Sequence, residues 1–422
     1  MPGPACCVRC LALDRLGRYP LRVGNPEISA GAQSLGQLLQ EHGERLHKRL
    51  GPGARTRLFF SPGRVNLMGA HLDYNGGIVM PSAIDRGSFF AVRQRADRRF
   101  RMGTTLGDQW VEGNLDQLPR ARTGSWTDYP LGVLSYLQRQ DSGGFGFDLL
   151  LGGNLPIGAG LSSSASICVG MAFVFGELWE RGLVEKDWIE AALWAEREFI
   201  GVHCGIMDPY AISMTQPGHL LMLDCKDISV EHVPLDAKRI TIAVADTGVR
   251  RRLAQGAFNE RVAQCRAAFE GLRPFQEGIE CLRDVSPETL EQYGAKLEPV
   301  VQKRAQHVID EVQRTYLARE ALLAGDLHGF GAQMTAAHAS LRDLYDVSIE
   351  ELDALVESAC EWDGLYGTRL TGAGFGGCTV MTVDTERCEG LEEHLQAGFE
   401  RRFGTRPHVE FFRPSPGPRE LS

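Results

Sequence analysis

Apolar positions alternate along the chain between helical and extended spacing. Residues 34–50, from Ser34-Leu-Gly-Gln-Leu-Leu to Leu46 and Leu50, carry helical periodicity. From Leu58 the pattern turns extended, with Leu58-Phe59-Phe60 as a strand and Ser61-Pro62-Gly63 as a turn. Ile78-Val79-Met80 and Ser88-Phe89-Phe90-Ala91-Val92 predict two further strands, rich in β-branched and aromatic residues. Phe147 to Leu151 predicts a strand that runs into a glycine-rich loop, Gly152 to Gly160. The helix expected after it, Ser164 to Leu178, is small and apolar all round and therefore buried. A further helix is expected from Trp188 to Phe199. After Cys225 the pattern restarts, with a buried strand at Ile240–Ala245 and helices over 256–272, 296–320 and 350–362. A second glycine loop, Gly372 to Gly377, precedes the strand-like run Cys378 to Val383.

This pattern divides the chain near residue 225, into units of 31–225 and 226–413. Residues 1–30 have no periodicity and predict a loose leader. The Pro-Ser-Pro-Gly-Pro stretch within 414–422 predicts a frayed tail.

Composition narrows the classes. The 422 residues are 43% hydrophobic and 23% charged, ordinary for a soluble globular protein. The net charge of −9 argues against a nucleic-acid partner, and Arg250-Arg251-Arg252 is a short solvated or substrate-facing turn rather than a basic stripe. No apolar run reaches the ~18 residues of a membrane span, and the N-terminus has no continuous apolar signal region. The eleven cysteines are scattered, many inside apolar runs such as those of Cys168, Cys225 and Cys378. Buried free thiols in a reducing cytoplasm are expected. Cys6, Cys7 and Cys10 form one C-x-x-C without the further ligands of a zinc site. Nothing sets an oligomeric state; a monomer is the expectation.

Candidate chemistry begins at the first glycine loop, Gly152-Gly-Asn-Leu-Pro-Ile-Gly158-Ala-Gly160-Leu-Ser162-Ser163-Ser164-Ala165. A glycine loop between strand and helix offers unobstructed backbone N–H groups and the positive helix end to phosphate. The serines add hydroxyls for phosphate oxygens or Mg²⁺. It is not a Walker A loop, since no Lys-Ser/Thr follows, and alone it also reads as a turn with a serine N-cap. The second loop satisfies G-x-G-x-x-G, but a strand follows where dinucleotide binding needs a helix. Asp208 before Pro209 reads as a helix N-cap. Asp73 lies in a polar loop, and Glu196 falls on a helix where an exposed carboxylate is the default.

Three segments together carry a family resemblance. Pro62-Gly-Arg64-Val-Asn-Leu-Met-Gly-Ala70-His71-Leu-Asp73-Tyr-Asn75 resembles the galactokinase signature. Gly158-Ala-Gly-Leu-Ser-Ser-Ser-Ala165 resembles the phosphate loop of the galactokinase, homoserine kinase, mevalonate kinase and phosphomevalonate kinase superfamily. Gly367-Thr-Arg-Leu-Thr-Gly-Ala-Gly-Phe-Gly-Gly-Cys378 is similar to its third motif. The resemblance implies an α+β fold of two lobes with the active site between them, the N-terminal lobe binding sugar and ATP. It implies an ATP-dependent sugar 1-kinase using Mg²⁺, with galactose as the family's default substrate. Asp208 would be the catalytic carboxylate and Arg64 its neighbour. His71, Asp73, Ala70, Gly205 and Phe258 would line the sugar site. Gly158, Gly160, Ser162, Ser163 and Ser164 would hold ATP phosphates, with Trp126 and Tyr129 near adenine. Ser163 and Glu196 would be the Mg²⁺ ligands.

The chain departs from the family at three places: Ala70 and Phe258 stand where galactokinases carry Glu and Tyr, and Pro209 where Gln is usual. In galactokinases that Glu contacts the sugar's 6-hydroxyl, and galacturonate kinases look similar to this chain there. Galacturonate or another sugar is therefore the alternative substrate. A non-catalytic sugar sensor is the alternative of another class, opposed by the intact serine stretch and Asp208; an NAD oxidoreductase is opposed by the strand after Gly377.

Overall fold

The computed structural model describes residues 34–421 except 52, 157–159, 203 and 250–253. The expected leader and its cysteines lie outside the described residues. Twelve strands are found among those described: β1 Arg57–Met68, β2 Ile78–Gln94, β3 Arg99–Thr104, β4 Trp110–Asn114, β5 Phe147–Gly153, β6 His219–Asp224, β7 Ser229–Pro234, β8 Ile240–Asp246, β9 Leu365–Thr371, β10 Cys378–Asp384, β11 His408–Phe412 and β12 Arg419–Leu421. The first lobe is built on an eight-stranded sheet in the order β12-β1-β2-β5-β3-β4, with β6 joined to β2 and β7 to β6. The second is built on a four-stranded antiparallel sheet, β11-β8-β10-β9.

Strand alternation sorts side chains between layers. In β1, Phe59 joins the core beneath helices Asp128–Gln140, Ser163–Leu178 and Glu185–Trp194. Its neighbour Phe60 points the other way, to Leu39 of helix Leu35–Leu50. A third core, from Val65 and Leu67 through Leu220 and Val233 to Ile242, Phe330 and Phe412, is shared by both lobes.

Several expectations are corrected. Ser61-Pro62-Gly63 is not a turn: β1 runs through it, with an irregular register between Pro62 and Arg64. Proline is tolerated in a sheet at such irregularities. The two strands expected within 78–92 are one 17-residue strand, β2. A division at 225 would cut the β6–β7 hairpin in its turn; the chain first changes sheets between Pro234 and Ile240. The tail from Pro414 is not frayed. Pro414 bridges to Ile84, and β12 pairs antiparallel with β1, Leu58 opposite Leu421. Arg57 grips Glu420 with two hydrogen bonds of 2.8 Å, and the Arg419 guanidinium lies over the Phe60 ring. Helices Asp128–Gln140, Leu327–Asp343 and Leu391–Phe403 were not expected.

Candidate active site

β1 delivers Arg64 to the open end of helix Ser163–Leu178. Ser162, at the N-cap, adopts a left-handed φ of 60° and makes no side-chain cap bond. Its hydroxyl instead donates to Asp208. The first N–H groups of the helix are therefore left for another acceptor, a geometry suited to an anion. Arg64 holds Asp208 as a fork, Nε to Oδ1 at 2.7 Å and Nη2 to Oδ2 at 2.8 Å, while its Nη1 donates to the Gly160 carbonyl at 2.7 Å. Two parallel charge-assisted bonds fix the carboxylate in orientation as well as charge. These residues, with Leu155, Pro156, Leu161 and Ser163, line an open cleft of ≈ 320 Å³.

Asp208 is not the N-cap expected from sequence. Ile206 takes that place, and Asp208 lies one residue inside helix Met207–Met214. Pro209 follows within the first turn, where its missing N–H interrupts no helical bond.

Beside this pair stands Glu196. It is not on the expected regular helix but on a π-helical turn, Ala195–Ile200, that follows helix Glu185–Trp194. Such turns widen a helix locally and recur at functional sites. Burial pushes its carboxyl pKa up, opposed by a hydrogen bond from Ser164. The serine facing Glu196 is thus Ser164, whereas Ser163, expected there, is exposed on the first helical residue. Cys204 approaches the same carboxylate, Sγ to Oε2 at 3.7 Å. The donor set, a hydroxyl and a carboxylate, suits a hard cation such as Mg²⁺. Trp126 and Tyr129 are half-buried against the core of the first lobe, Tyr129 within electrostatic reach of Glu196. Gly158 lies outside the described residues.

The second cluster is the loop after β1. His71 has φ 60°, a conformation that costs a non-glycine residue of order 1–3 kcal/mol and persists where surroundings enforce it. Its Nδ1 meets the Tyr74 hydroxyl at 2.9 Å, Tyr74 meets the Tyr345 hydroxyl at 2.7 Å, and Cys265 Sγ lies 3.0 Å from Tyr345. His71 Nε2 is buried without a hydrogen-bond partner among the described residues. Burial and nearby His307, Arg369 and Arg261 lower the His71 pKa to about 3, so the ring is neutral. Phe258 packs on this group, 5.4 Å from the Tyr74 ring and 6.0 Å from His71. Asp73 presses against Gly205, where a Cβ would come within 2.2 Å of its Oδ2; only glycine fits there.

Burial and the negative charge of Asp208 push the Asp73 pKa up to about 6. The folded state therefore binds this proton more tightly than the unfolded chain between pH ~4 and ~6. Stability falls as pH rises through that window, and the penalty is fully present above it. Asp73→Asn is expected to raise the melting temperature at pH 7.5, with the gain vanishing towards pH 4. Melting curves across pH 4–8 for both proteins measure this; a uniform shift at all pH would refute the titration of Asp73.

The structure thus brings together Arg64, Asp208, Ser162 and Gly160, sets Ser164 and Glu196 beside them, and gathers His71, Asp73, Ala70, Gly205 and Phe258 around the neighbouring loop. Cys265 was not singled out from sequence, and Tyr74, Tyr345 and Cys204 were given no role there. Tyr74 lies inside the Pro62–Asn75 motif and Tyr345 in the stretch Ser340 to Ser348, which also resembles galactokinases, but no spacing rule connects residues so distant in the chain.

Residues 128–216 match the GHMP kinases N terminal domain, 45–94 the galactokinase galactose-binding signature, and 318–400 the GHMP kinases C terminal domain. The galactokinase of Chloroflexus aggregans is 40% identical over 349 residues, covering 83% of this chain and 89% of that protein. That of Streptococcus mutans is 39% identical over 368 residues, covering 86% and 94%. The crystal structure of Lactococcus lactis galactokinase complexed with galactose is similar with a TM-score of 0.84 and 31% identity, covering 91% of this chain and all of that one. Methanococcus jannaschii mevalonate kinase shares the fold, with a TM-score of 0.65 and 20% identity over 86% of this chain. Among the described residues no helix is long and apolar enough to cross a membrane. With its motifs in order and its relatives matched over most of their length, the chain belongs to the galactokinase family of sugar kinases.

Proposed function

We propose that this protein transfers the γ-phosphoryl group of ATP to the anomeric hydroxyl of galactose. The observation that supports it most is the Arg64–Asp208–Ser162 arrangement at the uncapped end of helix Ser163–Leu178. ATP phosphates would sit against the helix N–H groups and Gly160, with adenine towards Trp126 and Tyr129. The sugar would lie against His71, Asp73, Ala70, Gly205 and Phe258, with His71 Nε2 available to a hydroxyl. Asp208 would take the proton of the attacking hydroxyl as its oxygen bonds to phosphorus and the bond to the ADP oxygen breaks. Arg64 fixes the orientation of the Asp208 carboxylate through its two hydrogen bonds and would lie where charge gathers on the transferring group. Mg²⁺ carried with ATP would be held by Ser164 and Glu196 and would neutralise phosphate charge. Most of the rate enhancement would then come from placement and fixed charge, since phosphoryl transfer asks little covalent work of the protein.

A coupled ADP-release assay over galactose, galacturonate, N-acetylgalactosamine and L-arabinose tests the reading. ADP release with galactose is expected. Sugar binding without any ADP release would instead identify a non-catalytic sensor.

One residue favours a second substrate. Ala70, almost fully buried, leaves no carboxylate side chain where the family signature carries one. A 6-carboxylate would be repelled by Glu but tolerated by Ala. A charge-assisted hydrogen bond contributes on the order of 1.5–3 kcal/mol, so Ala70→Glu is expected to raise kcat/KM for galactose about tenfold. It should abolish any turnover of galacturonate. Kinetics with both sugars in both proteins check this, and a fall with both would mean only that Glu does not fit.

A further inference from the structure

Helix Pro299–Leu323 belongs to the second lobe, yet it holds the backbone of the loop after β1. Glu311, fully buried, accepts from the N–H groups of Gly69 at 3.1 Å and Ala70 at 3.2 Å through Oε1. Its Oε2 accepts from Arg314 Nε at 2.8 Å. Arg314 Nη2 donates to Ser340 Oγ at 3.0 Å, Ser340 Oγ meets His307 Nδ1 at 2.8 Å, and His307 Nε2 faces the Ala70 carbonyl at 3.4 Å. The circuit closes on the residue where it began. Both backbone groups of Ala70 are held by side chains one helical turn apart, His307 and Glu311.

Chemistry gives the ring one direction. The Ala70 carbonyl can only accept, so His307 Nε2 carries the hydrogen. Burial and the neighbouring Arg314, Arg369 and Arg304 charges lower the His307 pKa to about 3, so the ring is neutral and Nδ1 is bare. Nδ1 then accepts from the Ser340 hydroxyl, whose oxygen accepts from Arg314. Arg314 thus donates at both ends, to Glu311 and to Ser340. Arg369, also buried, extends the grip upstream by donating to the carbonyls of Leu67 at 2.7 Å and Asn66 at 2.6 Å, and feels the Glu311 charge.

The held segment has little freedom of its own to reach this shape. Gly69 has φ +81°, and a Cβ there would lie 2.1 Å from the Ile78 carbonyl oxygen. His71 follows in its own left-handed conformation. Holding the loop does not by itself call for a buried carboxylate, because well-packed apolar residues often stabilise as much as a buried ion pair. What the carboxylate adds is directed acceptance of two adjacent N–H groups immediately before His71.

We propose that the Glu311–Arg314–Ser340–His307 ring positions the sugar-binding loop, making Glu311 a positioning residue that sets sugar affinity from the second lobe without touching sugar or ATP. This rests on the reading that the loop at 69–75 holds the sugar.

The test is Glu311→Gln. The amide keeps the size but loses the charge and turns a donor towards either Arg314 or the loop N–H groups. Sugar KM is expected to rise about tenfold, the loss of roughly one charge-assisted hydrogen bond. ATP KM and kcat should stay within about threefold, the signature of lost ground-state binding to one substrate. An unchanged sugar KM in the folded variant overturns the proposal, as does a parallel rise in both KM values. Should Glu311→Gln not fold, Ser340→Ala decides. It opens the ring at a point that does not touch the loop, and must also raise sugar KM selectively. Wild-type turnover of galactose tests the proposed function separately, and the variant-to-wild-type ratio is taken on whichever sugar the wild type uses. If it uses none, the function falls, and the ring is judged from the change in galactose Kd by calorimetry.

Discussion

Replacing Asp208 by Asn is expected to leave a folded protein and remove about two orders of magnitude or more of turnover, the scale of a lost general base. Asn keeps the shape of the carboxylate and can still accept from Arg64 Nε. It cannot take a proton, and its NH₂ faces the Arg64 Nη2 that Asp208 accepts at 2.8 Å. A melting temperature lower by a few degrees is therefore expected alongside the kinetic loss. Capping does not account for Asp208, since its helix begins after Ile206 without any side-chain cap bond. Turnover by coupled ADP release, read beside a thermal melt, gives the answer. Near-normal turnover in the stable variant would leave Asp208 a purely structural partner of Arg64.

The second large effect is expected at Glu196. Glu196→Gln removes the buried carboxylate beside Ser164 while keeping its volume. Activity at low Mg²⁺ should fall about a hundredfold and recover in part as Mg²⁺ is raised, the upper range for disturbing a metal site. Ser164→Ala should shift the Mg²⁺ dependence the same way by about tenfold. Ser163→Ala should shift it far less, because Ser163 is the exposed serine. Titrating Mg²⁺ at fixed ATP distinguishes the three. Equal sensitivity of Ser163→Ala and Ser164→Ala would show that the orientation of this turn does not govern metal binding.

That contrast also shows where sequence reasoning stops. Three consecutive serines at a helix start are visible in the chain, but each residue advances about 100° around the axis, and nothing local says which one faces Glu196. The long apolar runs behaved differently. Phe147–Leu151, Ser164–Leu178 and Ile240–Ala245 were legible because they are buried whatever packs on them. The Arg64–Asp208 fork joins residues 144 apart. No periodicity links them, so only the family resemblance brought them together. The Ala70 ring was hidden for the same reason, its Glu311 looking like any carboxylate on an amphipathic helix. Proline misled twice: in β1, where the sheet absorbs Pro62 at an irregular register, and in the tail, where composition argued for fraying but the open edge of β1 supplied a partner.

That edge has a consequence for how the protein is made. Arg57 and Glu420 are 363 positions apart, so the outer partner of β1 emerges from the ribosome long after β1 itself. During synthesis of the second lobe, β1 is paired with β2 on one side only and presents an open outer edge, a template for wrong pairing with other chains. Its sheet is finished only when the last strand has wrapped back across Ile84 and docked against Leu58. A chain cut short before Arg419 would keep every residue of the proposed catalytic cleft and still carry that open edge. Its failure would appear as aggregation of newly made protein, and not as a defect in chemistry.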